Sequence, residues 1–433
     1  MGAGVLLAVS ASSRVDTPAG RGGSARNRAT DALAHVLSAD PQNSPHAADW
    51  SSSESTQPVA SSQCSGSEGC WPAIYILGAQ KAMTTSIFDT LEHCGLVCAA
   101  NFNQTRRTWG YNDGSIYTNG KEAHFFDVWQ TKRWDEARQD PSLYTRLYQE
   151  ADCPSRRFTD ATPNYIANYD APARMELLVP QAWQPQQRFV VVLREPTRRD
   201  LSWFNHRAAD NSMNYFCSDL SAAWSRAGGY DASSEERARE AYGNEAGCSL
   251  AVFTSCLADV QGAGHQGPPK VNLIQPGGSV AFPQRRLSPA EADLYRAWAG
   301  CKKSSHAGKN EAVSYGIYAM QLRRWRQFVP RKQLLVLQHE AFEKELDTQF
   351  AALGSFLGLP PGSATAPELR HDNVYSGLSK PRCATVEKLA SFFRPYNEIL
   401  QRDLDADRSS GAAPPQELPF APWPDGTDCF EGV

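Results

Sequence analysis

Two short apolar runs without alternation, each ending in a polar turn that opens a helix, constrain this chain more than any other feature. Ala73 to Leu77 is the first and Phe189 to Leu193 the second. Unbroken apolar runs of this length predict strands covered on both faces, as in a parallel sheet flanked by helices. Gly78 ends the first run, and Ile87, Phe88, Leu91 and Cys94 then recur at helical spacing from Thr85, with Thr84 or Thr85 available as a cap. A helix start aimed at the carboxyl end of a parallel strand offers free N–H groups and positive dipole to an anion, and Lys81 adds a full charge. The spacing is not that of a Walker A loop, where four residues precede Gly-Lys-Ser/Thr. Here Lys81 lies three residues after Gly78 and the hydroxyls follow it. Kinase and nucleoside triphosphatase readings weaken accordingly.

The second run leads into Arg194-Glu195-Pro196, then Arg199, Ser202 and His206 on a predicted helix. Arginine presents a planar fork suited to phosphate, and a serine hydroxyl can share the same oxygens. Farther on, Tyr318, Leu322, Trp325 and Phe328 form a helical apolar stripe whose aromatics read as core, and Leu334 to Leu337 is a third buried strand. A last helix is expected over Val386 to Leu400, after the basic loop Ser379-Lys380-Pro381-Arg382.

Two further strings lie between the junctions, 121-KEAHFFD-127 and 159-TDATPNY-165. In this order the four segments resemble the PAPS-dependent sulfotransferases, specifically the Golgi carbohydrate branch that includes the heparan sulfate sulfotransferases. That family carries G-x-x-K-x-G-T-T and L-R-D-P-x-x-R-x-x-S-x-Y at the two junctions, with K-E-x-H-F-F-D and D/E-x-S/T-P-x-Y between them. The resemblance implies an α/β, three-layer sulfotransferase fold, with a central parallel sheet flanked by helices around a P-loop NTPase-like core. It implies 3′-phosphoadenosine-5′-phosphosulfate (PAPS) as co-substrate, 3′-phosphoadenosine-5′-phosphate (PAP) as product, and a carbohydrate as acceptor. Carried onto this sequence, the donor site is Gly78, Lys81, Thr84, Thr85 and Ser86 at the phosphosulfate, Arg194 and Ser202 at the 3′-phosphate, and Lys380 and Arg382 near the nucleotide. Lys81 also serves the leaving group, Glu122 is the base, His124 its helper or alternative, and Asp127 and Thr162 face the substrate. Taken alone, Lys121 and Glu122 read rather as a solvated pair, His124 as a buried hydrogen-bonded histidine, and Phe125 and Phe126 as packing; the four ordered motifs reverse that preference for Glu122.

The chain departs from the family at Met83, where a glycine is usual, at Glu195, where aspartate is usual, and at Ala161, where heparan sulfate enzymes often carry lysine. If that glycine serves a positive backbone angle, methionine there costs roughly 1–3 kcal/mol or rearranges the loop. A noncatalytic relative that binds PAP or glycans therefore stays open. A nucleotide kinase on a related core lacks any Walker B or kinase-lysine context.

At 433 residues and 41% hydrophobic content, the chain can bury one large core. Its net charge of −4 provides no global basic field, so nucleic acid is not an expected partner and a polyanionic acceptor needs a local basic patch. Eleven cysteines suggest an oxidising lumen, with at least one unpaired or intermolecular. Cys94 and Cys98 lack companion histidines at ligand spacing, so no metal is expected. The sequon Asn103-Gln104-Thr105 fits lumenal exposure, and the resemblance implies the Golgi lumen or membrane. Residues 2 to 11 are mildly apolar, without a basic leader and too short to span a bilayer, so membrane association rests on the resemblance alone. No pattern sets an oligomeric state. Residues 1–70 read as a flexible stem or leader, 71–404 as the sulfotransferase domain with 211–310 as an irregular insertion, and 405–433 as a C-terminal tail. Gln104 to Tyr117 and the insertion are the expected acceptor-side loops.

Overall fold

The computed structural model describes residues 62–64, 69–101, 120–127, 131–149, 153, 155–209, 235–262, 297–298, 300–301, 311–360, 378–423 and 429–430. The stem through residue 61, the Asn103 sequon and the Gln104–Tyr117 stretch lie outside them.

Strands β1 (Gln63–Cys64) and β2 (Cys70–Trp71) pair antiparallel and are joined by the Cys64–Cys70 disulfide. Strands β3 (Ile74–Gly78), β4 (Thr159–Asp160), β5 (Arg188–Leu193) and β6 (Leu334–Gln338) form one parallel sheet in the order β4-β3-β5-β6. The helices that matter below are α1 (Thr84–His93), α2 (Ala171–Leu178), α3 (Pro196–Ala209), α4 (Glu235–Gly262), α5 (Tyr318–Trp325), α6 (His339–Lys344), α7 (Leu346–Phe356) and α8 (Cys383–Ser409). Every residue of β3 and β6 is buried. Successive strand side chains point to opposite faces, so both faces are covered, as the unalternating runs require. The α/β architecture around a parallel sheet is the one expected.

From β3 the chain crosses to β4 on one side and later to β5 on the other, which makes the gap between β3 and β5 a topological switch point. At such a point the turns leaving the carboxyl ends of adjacent strands diverge and leave a crevice for ligand. Both polar junctions singled out above therefore open at the same place.

Two expectations are corrected. The 405–433 stretch does not behave as a tail: α8 runs through Leu404 to Ser409, and the residues after it cover the edge strand β6. Glu417 Oε2 accepts from the Val336 N–H at 2.9 Å, and Gln338 exchanges two 3.0 Å bonds with the Ala421 backbone. Arg331, itself bonded to Asp407 of α8, holds the other oxygen of Glu417 at 2.5 Å. Unpaired strand edges need such cover, here supplied by a carboxylate in place of a further strand.

The 211–310 stretch likewise contains the 28-residue helix α4. Its buried side includes Ala238, Ala241, Tyr242, Ala246, Phe253 and Leu257 at helical spacing. Glycines and alanines hid that face from a reading based on large apolar residues. Gly243 has a packing reason, since a Cβ there would lie 3.2 Å from Thr385 Oγ1 of α8.

Disulfides also join Cys98 to Cys153, Cys256 to Cys301 and Cys383 to Cys429. Cys248 is disulfide-bonded as well. Among the described residues Cys94 is free and exposed. None of their helices is long and apolar enough to cross a membrane.

Candidate active site

The first junction is a compact turn between β3 and α1. Gly78 has φ +143°, and a Cβ there would meet Pro163 O and Ile166 Cγ2 at 2.5 Å, so only glycine fits. The Ala79 N–H bonds Val192 O at 2.7 Å, which ties the turn to β5. Met83 takes the N-cap position with φ 56° and ψ 25°, and no side chain caps the helix. Neither Thr84 nor Thr85 acts as the cap. The positive angle that motivates a glycine at position 83 is present here with a methionine, at roughly 1–2 kcal/mol of left-handed strain. The uncapped first-turn amides keep their capacity for an outside acceptor. Thr84 is buried, whereas Lys81, Thr85 and Ser86 are half-buried.

The second junction meets the first directly. Arg194 Nη1 donates to Lys81 O at 3.1 Å. Its Nε is buried without a partner, as is Gln80 Oε1 in the facing turn. Burial pulls the Arg194 pKa down, against Glu340 and Glu343, which support the charge. Glu195, where the family has aspartate, accepts from the Thr197 N–H at 3.0 Å and the Arg198 N–H at 2.7 Å, and so caps α3. Burial raises its pKa, with the nearby Glu340 adding to the shift. Ser202 is half-buried on α3. One turn on, Asn205 exchanges two 3.0 Å bonds with the Leu378 backbone and so brings the 378–382 loop against α3. Lys380 and Arg382 are exposed in that loop; Lys380 O accepts from Arg239 Nε, and Arg382 pairs with Glu236 of α4.

The 121–127 segment forms a chain of alternating charge. Lys121 Nζ lies 2.7 Å from Glu122 Oε1, Glu122 Oε2 lies 3.1 Å from His124 Nε2, and His124 Nδ1 lies 2.8 Å from Asp127 Oδ2. Lys121 is 2% exposed, so the pair is not the solvated one that its residues alone permit. Burial opposes the charge on Glu122, yet Lys121 and then His124 hold its pKa down at about 2. Burial also opposes the charge on His124, and Asp127 and Glu122 outweigh it, holding its pKa well above the ordinary histidine value. Glu122 and His124 keep 22% and 16% of their side-chain exposure while Asp127 keeps 5%, so the first two remain accessible and Asp127 orients the imidazole from the buried side.

Thr162, expected at the substrate, has its side chain engaged inside the core. It is fully buried, accepts from the His124 N–H at 3.1 Å and donates to Asp160 Oδ1 at 2.7 Å. Buried Asp160 also binds the hydroxyls of Tyr144 and Tyr165 at 2.8 and 2.9 Å, and the Tyr165 oxygen accepts from the Phe125 N–H at 3.0 Å. Burial raises the Asp160 pKa and these donors pull it back. The same segment touches the first junction through Ile166 N–H to Leu77 O at 2.9 Å. Residues 159–166 are thus a strut that sets the charged loop beside the Gly78 turn. This role was missed in the sequence, although the polar residues beside an aromatic string carried the signal.

Among the described residues no group of three or more His, Cys, Asp or Glu is arranged to hold a metal ion. No protein-family model matches the chain, and no curated protein matches it. Among solved structures it is similar to a sulfotransferase from Alicyclobacillus acidocaldarius, at TM-score 0.42 and 17% identity over 78% of this chain and 98% of that one. It is also similar to the sulfotransferase domain from the curacin biosynthetic pathway, at TM-score 0.31 and 12% identity over 69% of this chain and 76% of that one. A third is the sulfotransferase domain of the Synechococcus PCC 7002 olefin synthase, at TM-score 0.31 and 12% identity over 73% of this chain and 83% of that one. Overlaps this loose do not decide a function.

Proposed function

We propose that the chain is a sulfotransferase that moves the sulfuryl group of PAPS onto a hydroxyl or amine of a carbohydrate and releases PAP. The observation that carries this reading is the meeting of the two junctions at the β3/β5 switch point, an uncapped helix start with Lys81 and Arg194 bound to the Lys81 carbonyl, with the loop of Glu122 tied to the end of β3 through the 159–166 strut. The residues fit the donor, because Arg194 Nε and the α1 amides are groups that an anion would satisfy.

In the reaction the acceptor oxygen or nitrogen forms a bond to sulfur as the bond from sulfur to the 5′-phosphate oxygen breaks. PAPS supplies the activated sulfuryl group. Lys81 and the α1 amides stabilise charge building on the departing phosphate, and Arg194 with Ser202 anchors the 3′-phosphate. Glu122 takes the acceptor's proton, and His124, held charged between two carboxylates, orients it. Lys121 occupies Glu122 Oε1 at 2.7 Å and holds the carboxylate below its ordinary range, so proton transfer to that oxygen requires the pair to open as the acceptor binds. That pairing, together with a methionine at the positive-φ position 83, favours a noncatalytic PAP- or glycan-binding relative. A setting in the Golgi lumen belongs to the same proposal and is supported by the disulfides.

Calorimetry with PAP, paired with transfer of radiolabelled sulfate from PAPS to desulfated glycosaminoglycans, algal galactans and glycolipids, tests the reading. Binding with transfer to one of these classes is expected. Binding without any transfer selects the noncatalytic relative, and absence of PAP binding refutes both.

A further inference from the structure

The peptide unit between Arg194 and Glu195 is gripped from both sides. Tyr318 Oη donates to its carbonyl oxygen, Arg194 O, at 2.9 Å, and Glu340 Oε1 accepts from its N–H, Glu195 N, at 2.8 Å. Both gripping side chains are in turn held by one residue near the end of the chain. Trp423 Nε1 donates to Glu340 Oε2 at 3.0 Å, and the Trp423 ring lies 6.0 Å from that of Tyr318. Phe420 packs edge-on against the indole at 5.1 Å.

The segment that carries Trp423 is anchored before and after it. Upstream, Glu417 and Ala421 bond to β6. Downstream, Cys429 is joined to Cys383, and Phe430 bonds the backbone of Pro381 and Cys383 at 2.8 and 3.2 Å. An indole so fixed limits the rotation of two partners that together set the plane of the 194–195 peptide. The same residue carries the guanidinium that reaches Lys81 O, so the grip fixes the backbone from which that side chain departs.

We propose that Trp423 is a positioning residue for Arg194, tuning recognition of a nucleotide 3′-phosphate from outside the crevice. The inference rests on the reading of Arg194 as the 3′-phosphate ligand. It assigns to the C-terminal segment a part in donor selection, in addition to covering the edge of the sheet.

The test compares two probes by calorimetry, PAP and adenosine 5′-phosphate, which lacks the 3′-phosphate. Trp423→Phe keeps an aromatic ring and removes the N–H donor. It is expected to weaken PAP by about 5- to 20-fold, the range of a lost oriented hydrogen bond, with adenosine 5′-phosphate unchanged within 2-fold. Trp423→His retains a ring N–H and is expected to recover part of the PAP affinity, which a purely space-filling role would not produce. Equal loss for both nucleotides, or loss for neither, overturns the proposal. Should Trp423→Phe fail to fold, Tyr318→Phe, which frees the carbonyl of the same peptide, takes its place with the same selectivity expected. If the wild type binds neither nucleotide, the donor reading itself fails. Hydrogen exchange at the Glu195 amide then decides the positioning claim: exchange accelerated about 10-fold in Trp423→Phe sustains it, and unchanged exchange overturns it.

Discussion

Position 83 allows a test in which the sign of a stability difference reports a backbone angle. Met83 has φ 56° and packs, partly buried, against the core. Truncation to alanine keeps the left-handed strain and removes the side-chain burial, about half of the 1.5–3 kcal/mol of a fully buried methionine. Truncation to glycine loses the same burial and relieves roughly 1–2 kcal/mol of left-handed strain, less part of that through extra freedom in the unfolded chain. Met83→Gly should therefore be more stable than Met83→Ala by about 1 kcal/mol, and close to the wild type. At a right-handed position the order reverses, with alanine ahead by roughly 0.5–1 kcal/mol. Urea denaturation of the three proteins, with midpoints compared at constant m, measures it. An alanine variant equal to or more stable than the glycine variant refutes the assigned geometry. PAP affinity of the glycine variant should stay within a few-fold of wild type; a gain of orders of magnitude means that the native loop obstructs the donor.

Gly78→Ala should cost more than about 2 kcal/mol, because the added Cβ would press to 2.5 Å on Pro163 O in a conformation that already disfavours a side chain, and thermal unfolding reads it directly. Arg194→Ala should weaken PAP by about 1.5–3 kcal/mol in calorimetry, the loss of a charge-assisted contact, and equal affinity removes the 3′-phosphate assignment. Glu122→Gln should lower sulfate turnover about 100-fold or more with PAP affinity preserved; near-normal turnover shifts the base to another group. The charged loop also sets a pH window. The depressed Glu122 pKa gives stability that is complete above the ordinary carboxylate value of 4.5 and lost as pH falls through about 2. The raised His124 pKa gives stability that is complete below 6.5 and lost only as pH rises well above it. Denaturation across pH should therefore show the loop's contribution at full strength between about 4.5 and 6.5, with the acid limb flattened in Glu122→Gln.

The parallel sheet and the two junctions were determined by local sequence. A strand buried on both faces has to be apolar at every position, and Ala73–Leu77, Phe189–Leu193 and Leu334–Leu337 carry that requirement within a few residues. Lys81, Arg194, Glu122 and His124 stood out for the same reason, since each sits next to such a run or in a compact motif. What the sequence could not express was the pairing of distant groups. Thr162 read as a substrate-side polar residue, and Asp160 carried no assigned role, until their hydrogen bonds with each other and with Tyr144, Tyr165 and His124 appeared inside the core. Whether Lys121 and Glu122 were solvated or buried depended on what the fold laid over them. The α4 helix hid behind small residues because its face is complementary to α8, a surface absent from its own composition. The last stretch looked dispensable because its composition is that of a tail. Only the assembled sheet, with an open edge at β6 and a peptide to be held at Arg194, gave Glu417 and Trp423 something to bind. Burial pattern is written along the chain, whereas the charge, exposure and partner of a polar group are set by other segments, as far away as the 145 residues between Glu195 and Glu340, and those meet only in three dimensions.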